Sequence, residues 1–279
     1  AKILFHRKFD PAAVLRDVPR ATMLMGVPTF YVRLLQEPGL THEAVAHMRL
    51  FVSGSAPLLL DTFEAWRSRT GHTILERYGM SEAGMITSNP YEGERRGGTV
   101  GFPLPGNKVR VRDGERECGA NEPGGIEISG PNVFAGYWNM PEKTKEEFTA
   151  DGWFRTGDVG QWSPDGYLSI VGRAKDLIIS GGYNVYPKEI ELVIDAMPGV
   201  VESAVVGVPH PDFGEAVTAV VVKTRDSALD EAAVIAHMQS QIAHYNVPKR
   251  VAFVDDLPRN AMGKVQKNVL REQLAEDAG

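Results

Sequence analysis

The order of apolar and polar positions divides the chain into three stretches of different periodicity. Over residues 1–100, short apolar runs alternate with helical spacings. Asp10-Pro11 opens a helix through Leu15, because an aspartate caps free N–H groups and proline fits a first helical turn. Arg49-Leu50-Phe51-Val52 reads as a buried strand, ended by Ser53-Gly54-Ser55. Asp61 through Thr70 carries Phe63 and Trp66 at helical spacing and stops at Gly71, which accepts the left-handed backbone of a C′ residue. Thr73-Ile74-Leu75 predicts a short strand running into Tyr78-Gly79-Met80-Ser81-Glu82.

From residue 100 to 172 the runs are short and alternating (Val109 and Val111, Ile126 and Ile128, Tyr167, Leu168 and Ile170), which predicts antiparallel β structure. Asp165-Gly166, between Trp162 and Tyr167, is a hairpin-turn signal. After about residue 176 the pattern changes again. Leu177-Ile178-Ile179 reads as a strand, and Pro187 starts a helix whose Ile190, Val193, Ile194 and Met197 form one apolar stripe. Val200–Val208, Val217–Val222 and Val251–Val254 read as strands, Asp230 caps a helix bearing Val234, Ile235, Met238 and Ile242, and a terminal helix follows Gly263. The expectation is an α/β layer with an antiparallel β region over residues 1–172, a connector at 173–176 and a small α+β domain over 177–279.

Composition narrows the function classes. With 43% hydrophobic and 24% charged residues among 279, the chain is neither disordered nor a coiled coil, and its 29 glycines and 18 prolines make it rich in loops. A net charge of −6 disfavours nucleic acid and anionic membranes as partners. No apolar run is long enough to span a bilayer. Cys118 is the single cysteine, so no disulfide forms within the chain and a reducing compartment, the cytoplasm or a mitochondrial matrix, is expected. Ala1 through Lys8 has no signal-peptide anatomy, lacks an initiator methionine and is not read as a natural start.

Four segments could carry chemistry. Tyr78-Gly79-Met80-Ser81-Glu82 offers a ring to stack on a base, a hydroxyl for a phosphate and a carboxylate for Mg²⁺; a plain strand-to-loop turn is the alternative. Asp158, in Arg155-Thr156-Gly157-Asp158, is a turn former or an acceptor for two ribose hydroxyls. Gly172-Arg173-Ala174-Lys175-Asp176 followed by Ser180-Gly181-Gly182-Tyr183 permits close approach of a backbone to a ligand, or a tight connection. Pro258 through Lys264 places a lysine before a helix, but Pro258 and Val265 stand where a P-loop needs glycine and Ser/Thr.

In order and spacing these segments resemble the adenylate-forming superfamily of acyl-CoA synthetases, peptide-synthetase adenylation domains and luciferases, from about Met25 to Arg271. Gly26 through Arg33, Val52 through Leu58 and Ile179 through Glu191 look most like members that act on malonate. The resemblance implies a two-step ligase using ATP, Mg²⁺ and CoA, in which an acyl-adenylate forms and a thiol then displaces AMP. It implies that Tyr78 flanks the adenine, with Ser55, Ala56, Glu76 and Arg77 around it and Gly79 and Met80 in the same loop. Ser81 would contact the α-phosphate, Glu82 would hold Mg²⁺, and Asp158 would accept the ribose hydroxyls with Arg173 nearby. Lys264 would be the mobile catalytic lysine, Lys175 the hinge, and Ser180, Gly181 and Gly182 the loop reached by CoA.

Malonate adds a physical requirement, because its second carboxylate needs a fixed cation when buried. Arg33 matches the malonate-binding arginine of the family and Ser55 a hydroxyl partner; a surface helix residue is the bland reading of Arg33. Methylmalonate is not excluded, since one methyl group discriminates weakly. The family's Ser/Thr/Gly-rich phosphate loop has no counterpart between Ala1 and Arg20, so the chain is expected to be part of a longer ligase. Rival readings are an adenylation domain serving a carrier protein, a synthetase for a different acid, and a non-catalytic nucleotide-binding relative. The resemblance also implies that a lysine acetyltransferase could silence Lys264 by removing its charge.

Overall fold

A computed structural model describes residues 2–260 and 264–276 and divides between Ile170 and Val171 into two compact units. The first unit opens with α1 (Pro11–Asp17), capped as expected by Asp10, whose Oδ1 accepts the Ala13 N–H at 2.7 Å. Strands β1 (Met23–Gly26), β2 (Leu50–Ser53) and β3 (Leu75–Met80) are parallel neighbours, and β4 (Gly84–Ser88) and β5 (Phe102–Pro103) extend their sheet antiparallel. Between the parallel strands run α2 (Pro28–Leu35), α3 (His42–Val45) and α4 (Leu60–Thr70). Their core centres on Trp66, with Tyr31 and Phe51 packed edge-on at 4.9 and 5.0 Å. Tyr31 also donates to the Val52 carbonyl at 2.6 Å, which pins α2 to β2. On another face of this sheet Met23, Met25, Leu50, Val52, Leu75 and Met85 line an open apolar groove, and its three methionines are exposed.

One expectation shifts. The strand begins at Leu75 rather than Thr73 and runs on to Met80, so Tyr78, Gly79 and Met80 lie inside β3 rather than in the loop after it. The cause is the β3–β4 hairpin, whose close approach needs glycine: a Cβ at Gly79 would lie 2.2 Å from the Gly84 carbonyl oxygen. Local apolar spacing carries no sign of that pairing.

The antiparallel region forms as read, from β6 (Lys108–Asp113), β7 (Arg116–Glu117), β8 (Gly124–Ser129), β9 (Phe154–Trp162) and β10 (Leu168–Arg173), in the order β10-β9-β8-β6-β7. A short α5 (Pro141–Glu147), which the periodicity does not reveal, lies between β8 and β9. Gly166 takes a φ of +84° in the expected turn, and its N–H bonds the Ser163 carbonyl at 2.9 Å. Val111, Ile126, Ile128, Phe154 and Leu168 form the core here. Cys118 is buried beside them, and burial pushes its thiol up from the ordinary value.

The second unit holds a short helical turn at Ala174–Asp176, then β11 (Ile178–Ser180), β12 (Tyr183–Val185), α6 (Pro187–Asp195), β13 (Val200–His210), β14 (Gly214–Lys223), α7 (Glu231–Gln241), β15 (Arg250–Val254) and α8 (Lys267–Glu276). The β13–β14 ribbon is covered on both faces, which explains its nearly continuous valine runs. Val205, Val217 and Val221 meet Ile190, Ile194, Met197, Val234 and Met238, while Val206, Val208 and Val220 meet Leu270 and Leu274 of α8. The predicted stripe of α6 and the Asp230 cap of α7 are both present, the cap accepting from Ala233 N–H at 2.8 Å. Among the described residues no helix is long and apolar enough to cross a membrane.

Glu76 cross-braces the first unit. Its side chain is buried in β3, accepts the Gly98 N–H at 3.0 Å and also bonds the backbone of Leu58. Burial outweighs those two donors and pushes its pKa from 4.5 up to about 7. The folded chain therefore holds this proton more tightly than the unfolded chain. The resulting stability is complete below about pH 4.5 and is lost as pH rises through about 7. Relative to a Glu76→Gln variant, the protein should lose up to about 3 kcal/mol between pH 5 and 8, read from urea unfolding at each pH. A difference that stays flat across that range refutes the buried, proton-holding carboxyl.

Candidate active site

Several candidate residues of the first unit lie near the ends of the parallel strands β2 and β3, the side on which open α/β sheets bind ligands. In register, Ser53 at the end of β2 stands beside Glu76 in β3, so the loop after β2 runs next to Arg77 through Met80. In that loop Ser55 adopts a φ of +69°, a backbone that costs a non-glycine residue on the order of 1 kcal/mol. Ser55 and Ala56 are exposed, and a Cβ placed on Gly54 would lie 3.5 Å from the Arg77 side chain. Such strain, held at a strand end beside Arg77, is the kind that persists where a loop is shaped for a ligand.

Tyr78 and Asp158 come from different sheets and meet: the phenol donates to Asp158 Oδ2 at 2.5 Å. A bulge in β9 makes this possible. Between the pairs Gly125–Val159 and Glu127–Arg155, four steps along β9 advance against two along β8. Gly157 takes the left-handed φ of +71° that such a bulge needs. Thr156 secures it, donating to the Ile126 carbonyl at 3.0 Å and accepting the Asp158 N–H at 3.1 Å. Asp158 is thereby held almost fully buried, so the threonine and glycine before it are bulge-formers that aim the carboxylate.

Ser81 and Glu82 lie in the turn joining β3 to β4, closed by the Ala83 N–H bonding the Met80 carbonyl at 3.2 Å. Ser81 is exposed and Glu82 half-buried. A neighbouring loop grips this turn: the Phe134 N–H donates to the Glu82 carbonyl at 2.8 Å and Asn132 to the Ala83 carbonyl at 2.6 Å. Tyr137 donates its hydroxyl to Glu82 Oε1 at 3.2 Å. Sequence reasoning missed Tyr137, although the run Gly136-Tyr137-Trp138-Asn139 offered a signal of a shaped aromatic loop. Among the described residues no group of three or more His, Cys, Asp or Glu side chains could hold a metal. One carboxylate suits Mg²⁺ carried by a nucleotide, because Mg²⁺ keeps its waters and binds through one or two carboxylates plus phosphates.

Glu76 belongs to the same strand, yet its carboxyl faces Leu58 and Gly98 rather than solvent, so it shapes the loops around the crevice. Arg33 lies in the last turn of α2, exposed, and among the described residues no carboxylate pairs with it.

The remaining candidates belong to the second unit. Arg173 ends β10, and Lys175 is exposed in the Ala174–Asp176 turn. Gly181 and Gly182, with φ of +57° and +82°, make the two-residue turn between β11 and β12, opposite ends of which are buried Ser180 and exposed Tyr183. Both signs of φ are those of a type I′ hairpin, which favours glycine. The Gly181 N–H bonds the Phe213 carbonyl at 2.9 Å. Lys264 is exposed and pairs with Asn260: its N–H bonds Asn260 Oδ1 at 3.0 Å, and the Asn260 N–H bonds the Lys264 carbonyl at 2.9 Å. Ala261, Met262 and Gly263 of the expected loop lie outside the described residues. Arg259 pairs with Glu202 on the entry side, and Lys267 with Glu191 at 2.5 Å on the exit side.

Comparison with known proteins identifies the family. The profile of the AMP-binding enzyme family matches residues 1–138, and that of the AMP-binding enzyme C-terminal domain matches residues 189–264. The malonate–CoA ligase of Arabidopsis thaliana is 40% identical over 91% of this chain and 44% of its own length. A feruloyl-CoA synthase of Amycolatopsis is 38% identical over 98% of this chain and 56% of its own. ATP-bound MatB from Rhodopseudomonas palustris superposes with a TM-score of 0.95 at 60% identity, covering 99% of this chain and 55% of that one. The chain spans about half the length of the curated relatives it matches, and it belongs to the family of AMP-binding enzymes.

Proposed function

We propose that this chain forms part of an ATP-dependent acid–thiol ligase that joins malonate to CoA through a malonyl-adenylate. The observation that carries the nucleotide half of the reading is the Tyr78–Asp158 bond beside the Ser81–Glu82 turn. It offers an aromatic ring and a buried carboxylate spaced along one crevice, with a hydroxyl and a second carboxylate at the next turn. Asp158 accepts ribose hydroxyls, Tyr78 borders the base together with Ser55, Ala56, Arg77, Gly79 and Met80, and Ser81 meets the α-phosphate. Glu82 holds Mg²⁺, which supplies positive charge against the phosphates.

Lys264 serves the first half-reaction. An ammonium fixed between the attacking carboxylate and the α-phosphate stabilises the charge on both without giving up a proton. The Asn260–Lys264 bonds on the loop, with the Arg259–Glu202 and Lys267–Glu191 pairs on either side, support that role by limiting where the lysine stem starts. Its exposure also leaves it open to acylation, which would remove the charge. Lys175, in its exposed turn, is the hinge, and the Gly181-Gly182 turn receives CoA because it has no Cβ to keep a ligand off the backbone. Arg173 assists at the ribose.

Arg33 sets the acid. Its guanidinium is exposed in the last turn of α2 and can take a second carboxylate in two parallel bonds. Similarity to the Arabidopsis malonate–CoA ligase supports malonate, and methylmalonate fits the same requirement. Similarity to feruloyl-CoA synthase at nearly the same identity supports an apolar acid instead, so the acid panel decides.

Pyrophosphate exchange across malonate, methylmalonate, acetate, propionate and ferulate should be strongest with the first two. Arg33→Ala should raise the barrier for malonate by about 2–5 kcal/mol in kcat/KM while leaving acetate within a few-fold. Equal losses on both acids would remove Arg33 from the substrate pocket. Lys264→Ala should slow adenylation about 10²- to 10³-fold and spare thioester formation from supplied acyl-adenylate. A comparable loss in both half-reactions contradicts a role confined to the first.

A further inference from the structure

Glu82 is not left to find its own orientation, and the residue that orients it has no part in the assignments above. Three bonds converge on its turn from the single loop at residues 132–137: Asn132 to the Ala83 carbonyl, Phe134 N–H to the Glu82 carbonyl, and the Tyr137 hydroxyl to Glu82 Oε1. The first two fix the backbone. Only the third reaches the carboxylate.

Tyr137 is itself fixed. Its backbone N–H bonds Thr144 Oγ1 at 2.9 Å, and the Thr144 hydroxyl donates in turn to the Met140 carbonyl at 3.0 Å. Its ring packs edge-on against Phe134 at 4.8 Å, and Phe134 is wedged against Phe148 and Phe154. Lys143 Nζ lies over the ring, 4.9 Å from its centre. Gly136, at a φ of +148°, turns the chain just before the tyrosine, where a Cβ would meet Thr144 at 2.6 Å. The hydroxyl is therefore delivered to one oxygen of Glu82 by a rigid ring with few rotatable bonds.

We propose that Tyr137 is a positioning residue for the metal carboxylate: by occupying Oε1 as an acceptor it presents Oε2 of Glu82 to the cation that accompanies the nucleotide. This rests on the reading of Glu82 as the Mg²⁺ ligand. The chemistry follows from a carboxylate's geometry. An unheld side chain at an exposed turn samples several rotamers and can offer either oxygen or both, whereas Mg²⁺ demands one oxygen at a near-octahedral position. A donor on the second oxygen removes that freedom before the metal arrives, and the loss of such a donor typically weakens metal binding about 10- to 100-fold.

The test uses Mn²⁺ as the probe, titrated against the intact protein in the presence of ATP and followed by its electron paramagnetic resonance signal, together with the melting midpoint of each variant. In the Tyr137→Phe variant, Mn²⁺ should bind about tenfold more weakly, with the melting midpoint changed by no more than a few degrees. Three results discriminate. If Glu82→Gln weakens Mn²⁺ binding and Tyr137→Phe does not, the positioning role is wrong and the Glu82 assignment stands. If Glu82→Gln leaves Mn²⁺ binding unchanged, the assignment of the metal ligand falls and the proposal with it. If Tyr137→Phe lowers the melting midpoint but not Mn²⁺ affinity, the tyrosine is a packing residue only and the proposal is overturned.

Discussion

A phenol and a carboxylate from positions 80 residues apart in the chain set the geometry of the first unit's crevice. Tyr78 belongs to the mixed sheet and Asp158 to the antiparallel one, so their hydrogen bond ties two separately built layers at one point. A typical intramolecular hydrogen bond is worth about 0.5–1.5 kcal/mol in net stability. The Tyr78–Asp158 bond has a larger structural effect than that figure suggests. It fixes the ring's tilt at the end of β3 and the carboxylate's direction at the bulge of β9, so the two side chains are held in one mutual orientation. Each partner depends on its own glycine, Gly79 to let β4 approach and Gly157 to let β9 bulge.

That dependence explains what could be read in the sequence and what could not. Elements governed by local rules were legible: the Asp10 and Asp230 caps, the end of α4 at Gly71, the stripe of α6 and the turn at Gly166 all formed where spacing and turn chemistry put them. The valine runs of β13 and β14 were legible because a ribbon covered on both faces needs apolar residues at every position. The extent of β3 was not, since it is decided by pairing with β4, and neither were β1, β4 and α5, whose short segments have too few residues for a period to show.

Among the candidate residues the same division holds. Tyr78, Ser81 and Glu82 could be named because chemistry-bearing side chains cluster in five residues, and Asp158 because it follows Thr156-Gly157. Their grouping in space could not be derived from periodicity, and it was the likeness to adenylate-forming enzymes that put them in one site. Glu76 carries the opposite lesson. The resemblance places it beside the adenine, and the structure adds that its carboxyl is buried and bonds two loops, which no spacing in the sequence reveals. Tyr137 escaped notice because an aromatic after a glycine reads as packing, and only the position of Glu82 gives its hydroxyl a target.

Cys118 has a different consequence. It is the single thiol among these 279 residues, lies buried in the core of the antiparallel sheet, and burial raises it above the ordinary thiol value. Little thiolate exists there at neutral pH, so electrophiles that alkylate sulfur meet an unreactive and shielded group. The chain is thus chemically silent toward maleimides, and a reporter attached through a newly introduced surface cysteine would give its signal against almost no background.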